Sequence, residues 1–191
     1  MPKSRLEAFS DGVIAIVITI MVLELQTPHG TEWADLRPVI PSLVAYVLSF
    51  VFLGIYWNNH HHMLHAAERV SGPILWANNH LLFWLTLVPF VTGWMGENPS
   101  ASVPAAAYGA VMVMSAVAYT VLQHAILAHH GPNSKLARAV GSDTKGKLSL
   151  ALYLVAIVMA FVNQWISDAI YFAVAMMWLV PDRRIERHLH N

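Results

Sequence analysis

The sequence predicts an all-α integral membrane protein of six transmembrane helices, and three observations carry that reading. First, 57% of the 191 residues are apolar and 12% charged, against about 45–50% and 25% in globular chains. So few charges cannot cover a soluble domain of this size. Second, six stretches approach the roughly 20 mainly apolar residues that cross about 30 Å of hydrocarbon. Third, the cations sort by side. With six crossings, every Lys and Arg except Arg37 falls in the N-terminus, the second and fourth loops or the C-terminus. That is the positive-inside pattern, with both termini cytoplasmic in the cell membrane, and five crossings would spoil it. Residues 1–191 read as one six-helix unit.

The first span, residues 6–25, carries Asp11 early and Glu24 late. No small-residue cleavage site follows it, so it is not a signal peptide. The second, residues 39–57, is uninterrupted after Pro41 and Ser42. The third covers residues 73–95 and the fourth residues 103–127. The last two, residues 148–162 and 165–180, are separated only by Asn163 and Gln164. One unbroken helix there would be about 50 Å long, too long for a single crossing, so a tight hairpin is expected. Most tryptophans fall near span ends, where indoles favour the interface.

Several function classes drop out. Lys plus Arg equal Asp plus Glu, eleven each, so there is no basic excess for a nucleic-acid partner. Cysteine is absent, which removes disulfides, thiolate metal sites and a cysteine nucleophile. The longest loop, residues 128–147, leaves no room for a nucleotide-binding fold. No Walker or dinucleotide-type glycine pattern is present, which argues against an ATP-driven pump.

An ionisable group inside a span costs roughly 2.5–3.5 kcal/mol and marks a functional candidate. The first span concentrates such groups: Arg5, Glu7, Ser10, Asp11, Thr19 and Glu24. Gly12, Ile16, Thr19, Ile20 and Leu23 share one helical stripe, spaced i, i+4, i+7, i+8, i+11. Periodicity alone reads that stripe as ordinary packing or lipid contact, and Asp11, near the span end, as a capping or interhelical carboxylate. A second constellation, Asn58 to His62 with His65, ends span two and faces Asn78, Asn79 and His80 at the start of span three. His61 and His65, at i, i+4, could share a metal on one helix face. A closed structural site wants four ligands, however, so a polar layer binding Arg5, Ser10 or Asp11 is the leading reading, and no metal site is assigned. His124, His129 and His130 lie at the same depth and could join it. On the outer side Glu24, Glu32, Asp35, Glu97 and Asp168 stand against Arg37 alone. Together they favour a cation-attracting mouth, with Glu24 at its edge.

Arg5-Leu6-Glu7-Ala8-Phe9-Ser10-Asp11-Gly12, followed by the apolar run to Thr19, resembles the RxxxFSD signature of the transmembrane protein 175 family of potassium channels. The resemblance implies a homotetramer in which four copies of the first helix line a central pore, without the TVGYG filter of ordinary potassium channels. It implies a constriction at Ile16 with further apolar rings at Ile20 and Leu23, and a selectivity hydroxyl at Thr19. It also implies that Arg5, Phe9, Ser10 and Asp11 hold the helix in place, with partners expected among His60, His61, His65, Asn79 and His80. Some relatives carry Ser where this chain has Ala15. The expected function is passive, weakly potassium-selective conduction of monovalent cations, with no cofactor, no enzyme chemistry, and only membrane lipid and other copies of the chain as partners. The sequence also admits two rivals. One is a secondary metal-cation transporter using the histidine-rich cytoplasmic face; the other is a membrane enzyme with a histidine-box metal centre.

Overall fold

The computed structural model describes residues 2–65, 67, 69–130 and 143–179. Within them the protein is helical: α1 (Lys3–Leu23), a 3-10 segment (Trp33–Val39), α2 (Ile40–His65), α3 (Gly72–Thr86), α4 (Val88–Glu97), α5 (Ser102–His130), α6 (Thr144–Ala160) and α7 (Gln164–Leu179). Counting α3 and α4 as one broken rod, six rods stand where the sequence predicts six. Lys135, Arg138, the C-terminal arginines and the side chain of His130 lie outside the described residues.

Four of these rods are long and apolar enough to cross a membrane: Lys3–Leu23, Trp33–His65, Gly72–Glu97 and Ser102–His129. The protein is accordingly a multi-pass membrane protein. The remaining two helices, of 17 and 16 residues, are about 24–26 Å long at 1.5 Å per residue. They form the expected hairpin. Its turn occupies Phe161–Asn163, and the Asn163 side chain caps the following helix by accepting from the Trp165 amide at 3.0 Å.

Two elements differ from their predicted extents. The third span is not one helix: it turns at Leu87, because Pro89 has no amide hydrogen and cannot bond back to Leu85. The chain closes the break with a tighter bond from the Leu87 amide to the Trp84 carbonyl (3.2 Å) and resumes with Val91 to Leu87 (3.2 Å). The second helix runs eight residues past its predicted end at Trp57, carrying the histidine cluster on a regular helix.

Helix α5 is the hub, packing on α3, α4, α6 and α7, while α2 packs chiefly on α4. Close approach of α4 to α2 depends on Gly96, where a Cβ would come within 2.6 Å of the Ser42 Cα. Between α2, α4 and α5 lies a buried hydroxyl cluster: Ser49 Oγ stands 2.7 Å from Thr92 Oγ1 and 3.1 Å from Tyr108 Oη. Helix α1 sits at the edge of the bundle, against α2, α3 and α4.

Candidate functional site

Helix α1 has two faces. Leu6, Ser10, Ile14, Val17 and Met21 are buried, at spacings of three and four that define one side. The stripe Gly12, Ile16, Thr19, Ile20 and Leu23 lies about 140° away at 100° per residue and is exposed throughout. Leu23 is 80% exposed and Ile16 58%, so the largest apolar groups of the stripe are turned outward. Phe9 is 56% exposed and falls on this same side, seven residues before Ile16. The structure therefore puts Phe9 with the stripe and not with the packing residues.

The Thr19 hydroxyl is already oriented. It donates back to its own helix, 3.0 Å from the Ala15 carbonyl and 2.9 Å from that of Ile16. With the hydrogen committed, only the oxygen lone pairs remain for a neighbour, which suits a cation and not an anion.

The first half of α1 is held by polar contacts. Ser10 Oγ donates to the Leu6 carbonyl at 2.9 Å and accepts from Asn78 Nδ2 at 3.0 Å. The Asn78 carbonyl oxygen in turn lies 2.7 Å from His60 Nε2, so His60 is the donor and its proton sits on Nε2. All three residues are at most 1% exposed, and each belongs to a different helix. At the next residue of α1, Trp57 donates its indole N–H to Asp11 Oδ1 at 2.9 Å. Closer to the terminus, the Lys3 ammonium donates to the His65 carbonyl at 2.9 Å and pairs with Glu7 at 3.7 Å.

The expected partner set changes in detail. Ser10, Asp11 and His60 take part in these contacts, and His65 does so through its backbone. Asn79 does not: it is exposed, and its neighbour Asn78 occupies the position. His80 is engaged within its own helix, accepting from Trp84 Nε1 at 3.0 Å. The Arg5 side chain is exposed and makes no hydrogen bond or ion pair among the described residues. Among the described residues His61 meets the rings of Trp57, His62 and His65. His124 donates Nδ1–H to the Thr120 carbonyl of its own helix at 2.8 Å, apart from the cluster. Trp57, read from sequence as an interfacial residue, is a contact of α1 that the sequence reading missed.

An open groove of about 620 Å³ runs between α1 and α4, bordered by Ile16 and Ile20 on one side and Phe90 and Trp94 on the other. Glu24 and Glu97 line it as well. Glu24 is the exposed C-terminal cap of α1, and Glu97 accepts from Gln26 Nε2 at 3.2 Å. Among the described residues, no three His, Asp or Glu side chains gather closely enough to hold a metal ion.

The family described as endosomal/lysosomal potassium channel TMEM175 matches residues 5–89. A potassium channel of Chryseobacterium sp. (strain P1-3) is 51% identical over 189 residues, covering 99% of this chain and 98% of its own length. A potassium channel of Chamaesiphon minutus is 33% identical over 184 residues, covering 90% and 91%. The crystal structure of a lysosomal potassium-selective channel TMEM175 homolog from Chamaesiphon minutus superposes with a TM-score of 0.79 at 30% identity. That match covers 93% of this chain and 96% of the other.

Proposed function

The chain belongs to the TMEM175 family, a family of channels and not of enzymes, and on that premise we propose that it conducts potassium passively through a pore lined by α1 from four copies of the chain. One observation carries the reading: α1 stands at the subunit edge with its stripe unpartnered, and that stripe includes Gly12 and Thr19. Gly12 lets another helix approach closely, and the lone pairs left on Thr19 by its intrahelical bonds can meet a cation.

Four such helices around an axis would set Ile16, Ile20 and Leu23 as successive apolar rings. From Ile16 to Leu23 the rise is about 10 Å at 1.5 Å per residue. Apolar rings offer no oxygen ligands, so passage requires partial dehydration or transient rewetting of a hydrophobic gate. Potassium holds its water less tightly than sodium and crosses more readily. The Thr19 oxygens, their hydrogens turned away, compensate part of the lost hydration. Selectivity built this way is weak, because no rigid cage measures the ion.

Glu24 and Glu97 supply negative potential at the outer mouth, which raises the local cation concentration before entry. The side preference of the lysines and arginines supports cytoplasmic termini, with the polar anchor of α1 on the same side. The homologous channels of Chryseobacterium and Chamaesiphon support the choice of ion by their full-length similarity.

The test is the bi-ionic reversal potential of the purified protein in planar bilayers, potassium on one side and sodium on the other. The expected result is a cation current reversing on the potassium-selective side of zero. Absence of current, or an anion-selective reversal, would refute the reading.

A further inference from the structure

We propose that His61 and His65 form a two-histidine site for a borderline divalent cation such as Ni²⁺ or Zn²⁺, on the exposed face of α2 beside the anchored half of α1. The residues are one turn apart, the i, i+4 spacing by which a single helix offers two imidazoles to one ion. Their rings lie parallel, 1° between planes, with centroids 6.2 Å apart. Both side chains are exposed. Neither ring makes a hydrogen bond among the described residues, the one bond at His65 being to its carbonyl. Nitrogen ligands sit about 2.0–2.1 Å from such an ion, so the rings must tilt towards each other, a small rotation that exposed side chains can make.

The neighbouring histidines are differently disposed. His60 is buried and its Nε2 is committed to Asn78. His124 is bonded to its own helix through Nδ1. Among the described residues no third His, Asp or Glu joins His61 and His65, and their exposed face leaves the remaining coordination positions accessible to water. That makes the site open and its metal exchangeable, unlike a closed four-ligand structural site.

The position gives the site a consequence. Trp57 stacks on His61 from the other side, 6.1 Å between centroids and 29° between planes, while donating to Asp11. The His65 carbonyl receives Lys3. A metal joining the two rings would therefore stiffen the turn of α2 that holds two contacts to α1. This inference concerns metal binding and does not depend on the conduction reading.

The experiment is calorimetric titration of Ni²⁺ into the purified full-length chain in lipid nanodiscs, with any purification tag removed, for wild type, H61A, H65A, H65Q and H124A. Wild type and H124A are expected to bind one Ni²⁺ per chain. H61A, H65A and H65Q are expected to bind at least about tenfold more weakly, as loss of a ligand should cost no less than loss of a supporting contact. Unaltered binding in H61A and H65A, binding lost equally in H124A, or no saturable binding by wild type would each overturn the proposal. Potassium flux measured for the same proteins in chelator-treated buffer reads conduction separately, so failure of the pore reading and failure of this one are distinguishable.

Discussion

Asn78 is the residue whose removal best tests how α1 is held. Its amide bridges two other helices, donating to Ser10 Oγ at 3.0 Å and lying 2.7 Å from His60 Nε2. Asn78→Ala removes both bonds. Ser10 keeps its bond to the Leu6 carbonyl, but the buried His60 N–H is left without an acceptor. Interhelical hydrogen bonds in membrane proteins contribute about 0.6 kcal/mol on average and up to about 1.7, so two of them give about 1–3 kcal/mol. For a chain of this length each kcal/mol corresponds to about 2–4 °C of melting temperature. The assay is thermal unfolding in detergent followed by tryptophan fluorescence, with Asn79→Ala as the paired control. The control side chain is exposed, and its replacement should stay within about 0.5 kcal/mol. A double-mutant cycle of His60→Ala with Asn78→Ala then isolates their coupling, expected between about 0.5 and 1.7 kcal/mol. Equal melting temperatures for N78A and N79A, or zero coupling in the cycle, would refute the idea that this buried triad fixes the helix.

Three further outcomes follow from the exposed side of α1 and its C-terminal end. Ile16→Asn places an amide on the apolar stripe; single-channel recording should show higher cation current and a smaller potassium preference, with the reversal potential moving towards zero. Thr19→Val removes the outward lone pairs while keeping shape; bi-ionic recording should show reduced potassium preference, and unchanged gel-filtration behaviour would show that assembly is intact. Replacing Glu24 and Glu97 together with Gln should lower conductance at about 0.01 M salt, where the Debye length is about 30 Å, and leave it nearly unchanged at 1 M, where it is about 3 Å. An equal loss at both salt concentrations would show that the carboxylates act by contact and not by their field.

Hydropathy locates the rods well because lipid demands long apolar runs, but it measures fit to lipid and not helix extent. It therefore ended the second span at Trp57, while the helix continues through Asn58–His65, a stretch with few apolar residues in which Met63 and Leu64 are buried and His60 bonds to Asn78. The break at Leu87 is readable from Pro89, although the run around it is apolar apart from Thr86 and Thr92. Asn78 could have been separated from Asn79 by phase. Ile74, Asn78, Leu81, Leu82 and Leu85 share one buried side of α3, and a polar residue on an apolar stripe signals a buried partner. The geometry of Trp57 and Asp11, 46 residues apart, left no such trace, since no local period links two helices. Phe9 shows the opposite limit: its place in the motif says nothing about which side of the helix it occupies, whereas its angular position does.

The two halves of α1 divide the work in a way that follows from the solvent. Between helices in lipid, apolar packing has little preference for one rotation over another, because lipid tails are as apolar as the neighbouring helix. Leu6, Ile14, Val17 and Met21 can hold α1 against the bundle, yet they fix its azimuth only loosely. Ser10 and Asp11 remove that freedom. They are adjacent, so they point about 100° apart, and they engage different helices, Asn78 on α3 and Trp57 on α2. Two divergent bonds at one level determine a rotation as well as a position. The stripe begins at Gly12, one residue further on, and its direction is inherited from that pair through a continuous helix. A rotation of α1 by one residue's angle would move Thr19 to the place now held by Ile18 or Ile20 and break both contacts together. Ser10 and Asp11 thus set where the apolar residues of α1 point.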